Sequence, residues 1–168
     1  MMQKACHFWV RHSLALLAAL SPFYLVTLSS AAPPKGEKKE TVDVAVIAIL
    51  ATDRNDKIDP KLACIARQVR KNHKELKGFQ LATTARRSLN IGVKHVFEVL
   101  DGAQKVGVTV VHGADEKDRV QVKVAPPGMG EITYDTCCGK FLPIITEFRT
   151  KDKELLIIAV CIKPCHEK

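Results

Sequence analysis

From Phe79 to Ile162 the chain reads as one extended run after another, with no helical period between them. "RVQVKVAP" alternates cleanly, with Val120, Val122 and Val124 to one side and Gln121 and Lys123 to the other, the period of a half-buried strand. "FQLATTA" alternates as well. Asp101-Gly102 is a hairpin dipeptide, "PPGMG" is a turn, and Lys151-Asp152-Lys153 is the last turn. "VKHVFEVL" is apolar enough to be expected buried on more than one side. Strands joined by short turns exclude a doubly wound α/β fold, which needs helices between its strands.

The N-terminal part of the domain adds one strand and one helix. "VDVAVIAILA", Val42 to Ala51, reads as a central strand. Asp59-Pro60 starts a helix, with Asp59 as N-cap and Pro60 at the first helical position. Leu62, Ile65, Ala66 and Val69 follow at helical spacing, and Gly78 is the expected stop. The expected fold is therefore α+β: an antiparallel meander or sandwich of about seven to eight strands, with one N-terminal helix packed on one face. It occupies residues 42–165.

Residues 1–31 read as a signal peptide. Lys4 and Arg11 precede an apolar run from Leu14 to Leu28, and the small residues Ser29, Ser30 and Ala31 follow. The rival reading is a retained anchor. The run holds Pro22 and falls short of the roughly 20 residues a membrane span needs. Residues 32–41, "APPKGEKKET", read as a disordered polar linker. The expected location is outside the cytoplasm, periplasmic or secreted, with no membrane span after cleavage. The net charge of +8 falls to +6 once Lys4 and Arg11 leave with the leader. Export and the lack of interleaved aromatics argue against nucleic acid as partner. An unknown protein or an anionic envelope polymer fits better.

Five cysteines lie beyond the leader: Cys64, Cys137, Cys138, Cys161 and Cys165. Exported thiols that lie close pair as disulfides by default. If the last three strands form an up-down-up meander, Cys138 and Cys165 fall at one end of it, two strand spacings or about 9.5 Å apart. That exceeds the roughly 7 Å Cα limit for a disulfide, so the chain must curl after Pro164 or the outer strands must be neighbours. Cys138–Cys165 is the favoured pair; Cys137–Cys165 and Cys137–Cys161 are alternatives. Cys64 lies two positions from Leu62 and so points away from the apolar stripe. It is the expected free thiol, the most reactive one, and a possible site for a disulfide-linked dimer.

Other chemistries find little support. Cys161 and Cys165 have zinc-like spacing, but adjacent Cys137 and Cys138 do not, so no metal site is expected. His95 and His112 have no spacing that links them to a thiol. "DRNDKID" lacks the sixth-position glycine and twelfth-position acid of a calcium loop, and reads as a polar turn with a helix cap. "RQVRKNHK" and "RRSLN" supply a candidate anion site of Arg67, Arg70, Lys71, Arg86 and Arg87, weighed against a plain solvated face. No cofactor motif, nucleophile elbow or metalloprotease signature occurs. The reading is an exported, non-enzymatic binding or assembly module. The alternatives are a thiol redox protein or enzyme using Cys137 and Cys138, or an envelope component binding anionic glycan or lipid.

Leu50-Ala51-Thr52 before Asp59-Pro60-Lys61-Leu62, the turn "VKVAPPG" and the closing "LLIIAVCIKP" resemble a set of uncharacterised exported bacterial proteins of planctomycete type. The resemblance spans about residues 42–164. It implies export and a non-enzymatic role, and it carries over no functional residues.

Overall fold

The computed structural model describes residues 41–163. Eight antiparallel strands form two four-stranded sheets. They are β1 (Thr41–Thr52), β2 (Gly78–Asn90), β3 (Lys94–Val99), β4 (Gln104–His112), β5 (Arg119–Ala125), β6 (Ile132–Cys137), β7 (Phe141–Arg149) and β8 (Leu155–Lys163). A 3-10 turn at Pro60–Leu62 leads into the single helix α1 (Ala63–Arg70). Sheet A has the order β2-β1-β8-β7 and sheet B the order β3-β4-β5-β6. The expected α+β sandwich with one helix on one face is what forms.

Both sheets give one face to a common core. Val42, Val44, Val46 and Ala48 of β1 and Leu156, Ile158, Val160 and Ile162 of β8 meet Val106, Val108 and Val110 of β4 and Val120, Val122 and Val124 of β5. β-branched side chains suit this setting because they pack on a pleated surface with little rotamer freedom to lose. β8 lacks alternation because both of its faces are covered. Ile157, Ala159 and Leu155 join a second cluster with Ile49, Ala51 and Phe79, under Leu62, Ile65, Ala66 and Val69 of the helical segment. The helical stripe read from the sequence is the one that docks.

Several expectations are corrected. The last three strands are not a meander: β6 pairs with β5 in sheet B, whereas β7 pairs with β8 in sheet A. β1 begins at Thr41, one residue into the expected linker. The helix ends at Arg70, well before Gly78. The Arg70 guanidinium turns back, its Nε donating to the Leu76 carbonyl at 3.2 Å and its Nη2 to that of Lys77, and this closes the connection to β2. Gly78 is the first residue of β2, not a helix stop. A Cβ there would lie 2.5 Å from Asn55 Oδ1 and 2.8 Å from Thr52 Cγ2, so the close approach of two segments excludes a side chain. β3 is buried on one side only: Phe97 and Val99 face the core while Val96 is 47% exposed. The Asp101-Gly102 turn forms as read, with φ of 53° and 84°.

β7 carries an irregularity between Ile145 and Arg149. Thr146 satisfies it. Its buried hydroxyl donates to the Leu156 carbonyl at 2.8 Å and accepts from the Phe148 amide at 3.2 Å. A bulge leaves backbone groups unpaired, and a threonine hydroxyl is the right size to take them up.

Candidate functional site: the open end of sheet A

The helix is too short for the sheet it covers. Eight residues of α-helix span about 12 Å, while the 12 residues of β1 span about 40 Å. The cluster under the helix centres on Ile49, Ala51 and Phe79 and reaches Ala159, with Ile47 and Phe141 packed against it. At the other end the register aligns two cross-strand rows. One holds Ser88, Asp43 and Lys163; the next holds Arg86, Ala45, Cys161 and Phe141. Val42, Val44, Val160 and Ile162 point into the core, so these alternate residues point outward. Toward the helix the face continues as Ile47, Ala159 and Pro143.

A concavity of about 310 Å³ lies at this end, lined by Asp43, Val44 and Ala45 of β1, Arg86, Arg87 and Ser88 of β2, and Lys163 of β8. Ala45 is small and forms the floor between Arg86 and Lys163. Ser88 Oγ donates to Asp43 Oδ1. Cys161 lies in the same row, 2% exposed. Burial pushes its thiol above the usual range, against the downward pull of nearby Lys163 and Arg86. Among the described residues, neither Arg86 nor Lys163 has a carboxylate within ion-pair distance. Sheet B differs, since Glu131 sits 3.8 Å from Lys94 Nζ and 3.7 Å from Lys123 Nζ.

The five candidate anion-binding residues do not form one site. Arg86 lies on the outer face of sheet A. Arg87, its neighbour on the same strand, points the opposite way, and its guanidinium covers the Phe97 ring at 5.8 Å. Arg67, Arg70 and Lys71 line a separate hollow of about 460 Å³ on the helix, with Ile58, Ala63 and Ala66. Arg70 is already engaged there by two carbonyls and by the Phe79 ring, 5.6 Å from its centroid. Lys163 and Asp43 escaped the sequence reading, because only the β1–β8 register brings them beside Arg86.

Cys64 is exposed on α1, as its helical phase requires, and forms no disulfide among the described residues. Cys137 and Cys138, half-buried at the end of β6, and buried Cys161 form no disulfide among the described residues. Cys138 N donates to the Asp118 carbonyl at 2.8 Å, and Gly139 N to the Ile162 carbonyl at 2.7 Å. The second bond holds the β6–β7 crossover against the end of β8. Burial, followed by the nearby Asp118 and Cys137 charges, pushes the Cys138 thiol up. Cys165, and with it the Cys138–Cys165 pairing, lies outside the described residues, as do the leader and linker.

The "DRNDKID" loop is a turn and a cap. Asn55 Oδ1 accepts from Lys57 N at 3.0 Å, and Asp59 Oδ1 accepts from Lys61 N at 2.9 Å. Among the described residues no group of three or more His, Cys, Asp or Glu side chains is placed to hold a metal ion. No known protein family, curated protein or solved structure matches the chain.

Proposed function

We propose that the protein is an exported, non-catalytic binding or assembly module that presents the open end of sheet A to its partner. The observation that carries this reading is the end of that face that lies away from α1. There Arg86 and Lys163, which have no carboxylate within ion-pair distance among the described residues, line a hollow with half-buried Ala45 and with Asp43. The leader-like segment of residues 1–31 is the ground for export.

The thiol-enzyme alternative fits the site less well. Catalysis by a cysteine runs through its thiolate, and of the Cys137/Cys138 pair that this alternative uses, burial favours the protonated form of Cys138. A thiol–disulfide exchange assay at neutral pH tests the reading, with oxidised glutathione and a reduced peptide thiol as the exchanging pair. The expected outcome is no acceleration over the uncatalysed rate. Turnover that disappears in Cys138→Ser would replace the binding module with a redox enzyme.

A further inference from the structure

Independently of the hollow on sheet A, we propose that β3, an outer strand of sheet B, pairs edge to edge with β3 of a second copy of this chain. The pairing is antiparallel, in the register that sets Val96 opposite Val96 and Lys94 opposite Glu98. Val93 and Val96 are the large apolar residues left exposed among the described residues, at 43% and 47%, and both belong to this edge. β3 alternates: Lys94, Val96 and Glu98 are exposed on the outer face, whereas Phe97 and Val99 are buried. It has a ladder with β4 on one side and none with β2 on the other. Leu100 N, past the end of the strand, donates to Thr83 Oγ1 at 3.0 Å, and the Arg87 guanidinium covers the Phe97 ring on the inner side. A partner therefore meets the edge and the outer row. The unpaired backbone groups along such an edge are a template for a further strand.

The charges select both the partner and the register. Antiparallel strands set residues of one face directly opposite each other, with Cβ atoms about 4.5–5.5 Å apart. Lys94 and Glu98 flank Val96 at equal spacing. A twofold axis at Val96 thus pairs each lysine with the other copy's glutamate and packs the two valines between them. Registers centred on Lys94 or on Glu98 set like charges opposite each other, which is destabilising. Among the described residues Glu98 has no cation within ion-pair distance, and Lys94 has an exposed contact with Glu131 at 3.8 Å. The other outer strands are poorer templates. β7 carries Pro143, which has no N–H to donate, and a break in register after Ile145. β2 has a break in register opposite Ala48/Ile49, and its Phe79 is already bridged to Ile58. β6 presents Thr133, Asp135 and Cys137 on its outer row, with no cation to set against Asp135.

The test is sedimentation velocity of the protein over a range of concentrations, under reducing conditions that remove any disulfide dimer through Cys64. The parent should pass from monomer to dimer as concentration rises, and no further, because each copy's β3 edge is used once. Lys94→Glu and Glu98→Lys each turn both cross-copy pairs into like charges, and each should weaken dimerisation by about ten- to hundredfold. An equimolar mixture of these two variants has unlike charges at both pairs again and should dimerise at least as readily as the parent. Val96→Lys should dimerise at least about tenfold more weakly. Arg86→Glu, on sheet A, should dimerise like the parent. All four altered side chains are exposed, and urea unfolding would verify that each variant folds. A parent that stays monomeric up to its solubility limit would overturn the proposal. So would charge variants that dimerise like the parent, or a mixture no more associated than its components. Loss of the dimer in Arg86→Glu would place the contact on sheet A instead and overturn it too.

Discussion

Replacing Gly78 with alanine places one methyl group where two segments already touch. Three atoms lie inside normal contact distance of that methyl: Asn55 Oδ1 at 2.5 Å, Thr52 Cγ2 at 2.8 Å and the Asn55 carbonyl oxygen at 2.9 Å. None gives way easily. Asn55 Oδ1 is held by the Lys57 amide. Thr52 is buried, and its hydroxyl accepts from the Arg54 amide at 3.2 Å. The third atom is backbone. Overpacking of this kind costs about 1–3 kcal/mol. The lost freedom of the unfolded chain returns about 0.4–1 kcal/mol, leaving a net destabilisation of about 1–2 kcal/mol. At about 4 °C per kcal/mol for a domain of this size, Tm should fall by about 4–8 °C. Gly130 is the control: a Cβ there meets nothing within 4 Å, so Gly130→Ala should leave stability unchanged or raise it by less than about 1 kcal/mol. Urea unfolding and a thermal scan of both variants decide. A Gly78→Ala protein as stable as the parent would refute the close-approach argument.

Three further outcomes are expected. A small alkylating reagent applied to the native, unreduced protein should modify Cys64 first and Cys161 last, as read by mass mapping; protection of Cys64 in a monomer would contradict its exposure on α1. Tyr134→Phe should hold or raise stability by about 1 kcal/mol, because among the described residues the buried Tyr134 hydroxyl has no hydrogen-bond partner. Burial also raises the Tyr134 pKa, so the fold favours the neutral phenol. Stability is full below the unfolded-chain value of about 10 and is lost as pH rises beyond it toward the folded-state value. The parent should therefore lose stability in alkali more steeply than Tyr134→Phe does, as denaturant titrations at successive pH values would show. Finally, Ile162 is tied to Gly139, and Cys165 comes three residues later. A Cys138–Cys165 disulfide would close a loop of roughly 28 residues, worth about 3–4 kcal/mol in the chain-entropy model. Replacing both with serine should lower Tm markedly under oxidising conditions; an unchanged Tm would exclude the bond.

The strands, the Asp101-Gly102 turn and the face of α1 were legible because each is a local property: a period of two, a positive-φ dipeptide, a helical stripe. The division into sheets was not. β6 and β7 are separated by a short turn that looks like any hairpin, yet the chain leaves one sheet for the other there. Only the packing of distant strands decides that. The helix stops early for a similar reason, since the bonds from Arg70 to the carbonyls of Leu76 and Lys77 depend on how β2 returns. At the candidate site, Arg86 was legible but Lys163 and Asp43 were not. The separation of Arg86 from Arg87 did leave a signal. Adjacent residues of a strand point to opposite faces, so reading "RRSLN" as strand would have parted them.

The two sheets hide a simpler order. In sequence, every strand pairs with its predecessor except at the β2–β3 and β6–β7 crossings between sheets, and β8 returns to pair with β1. The chain is thus a ring of strands whose first and last members meet at its centre, with Asp43 opposite Lys163. Such a ring has no privileged starting point. A linker from residue 163 to residue 41, with new ends opened in the Pro126–Gly130 turn, would preserve every strand pairing while turning the β1–β8 contact from the longest-range one into a local hairpin. In the natural order that contact joins residues about 120 apart in sequence, so closing the ring carries the largest loop-closure cost in the fold, and without it both central strands of sheet A have an unpaired edge.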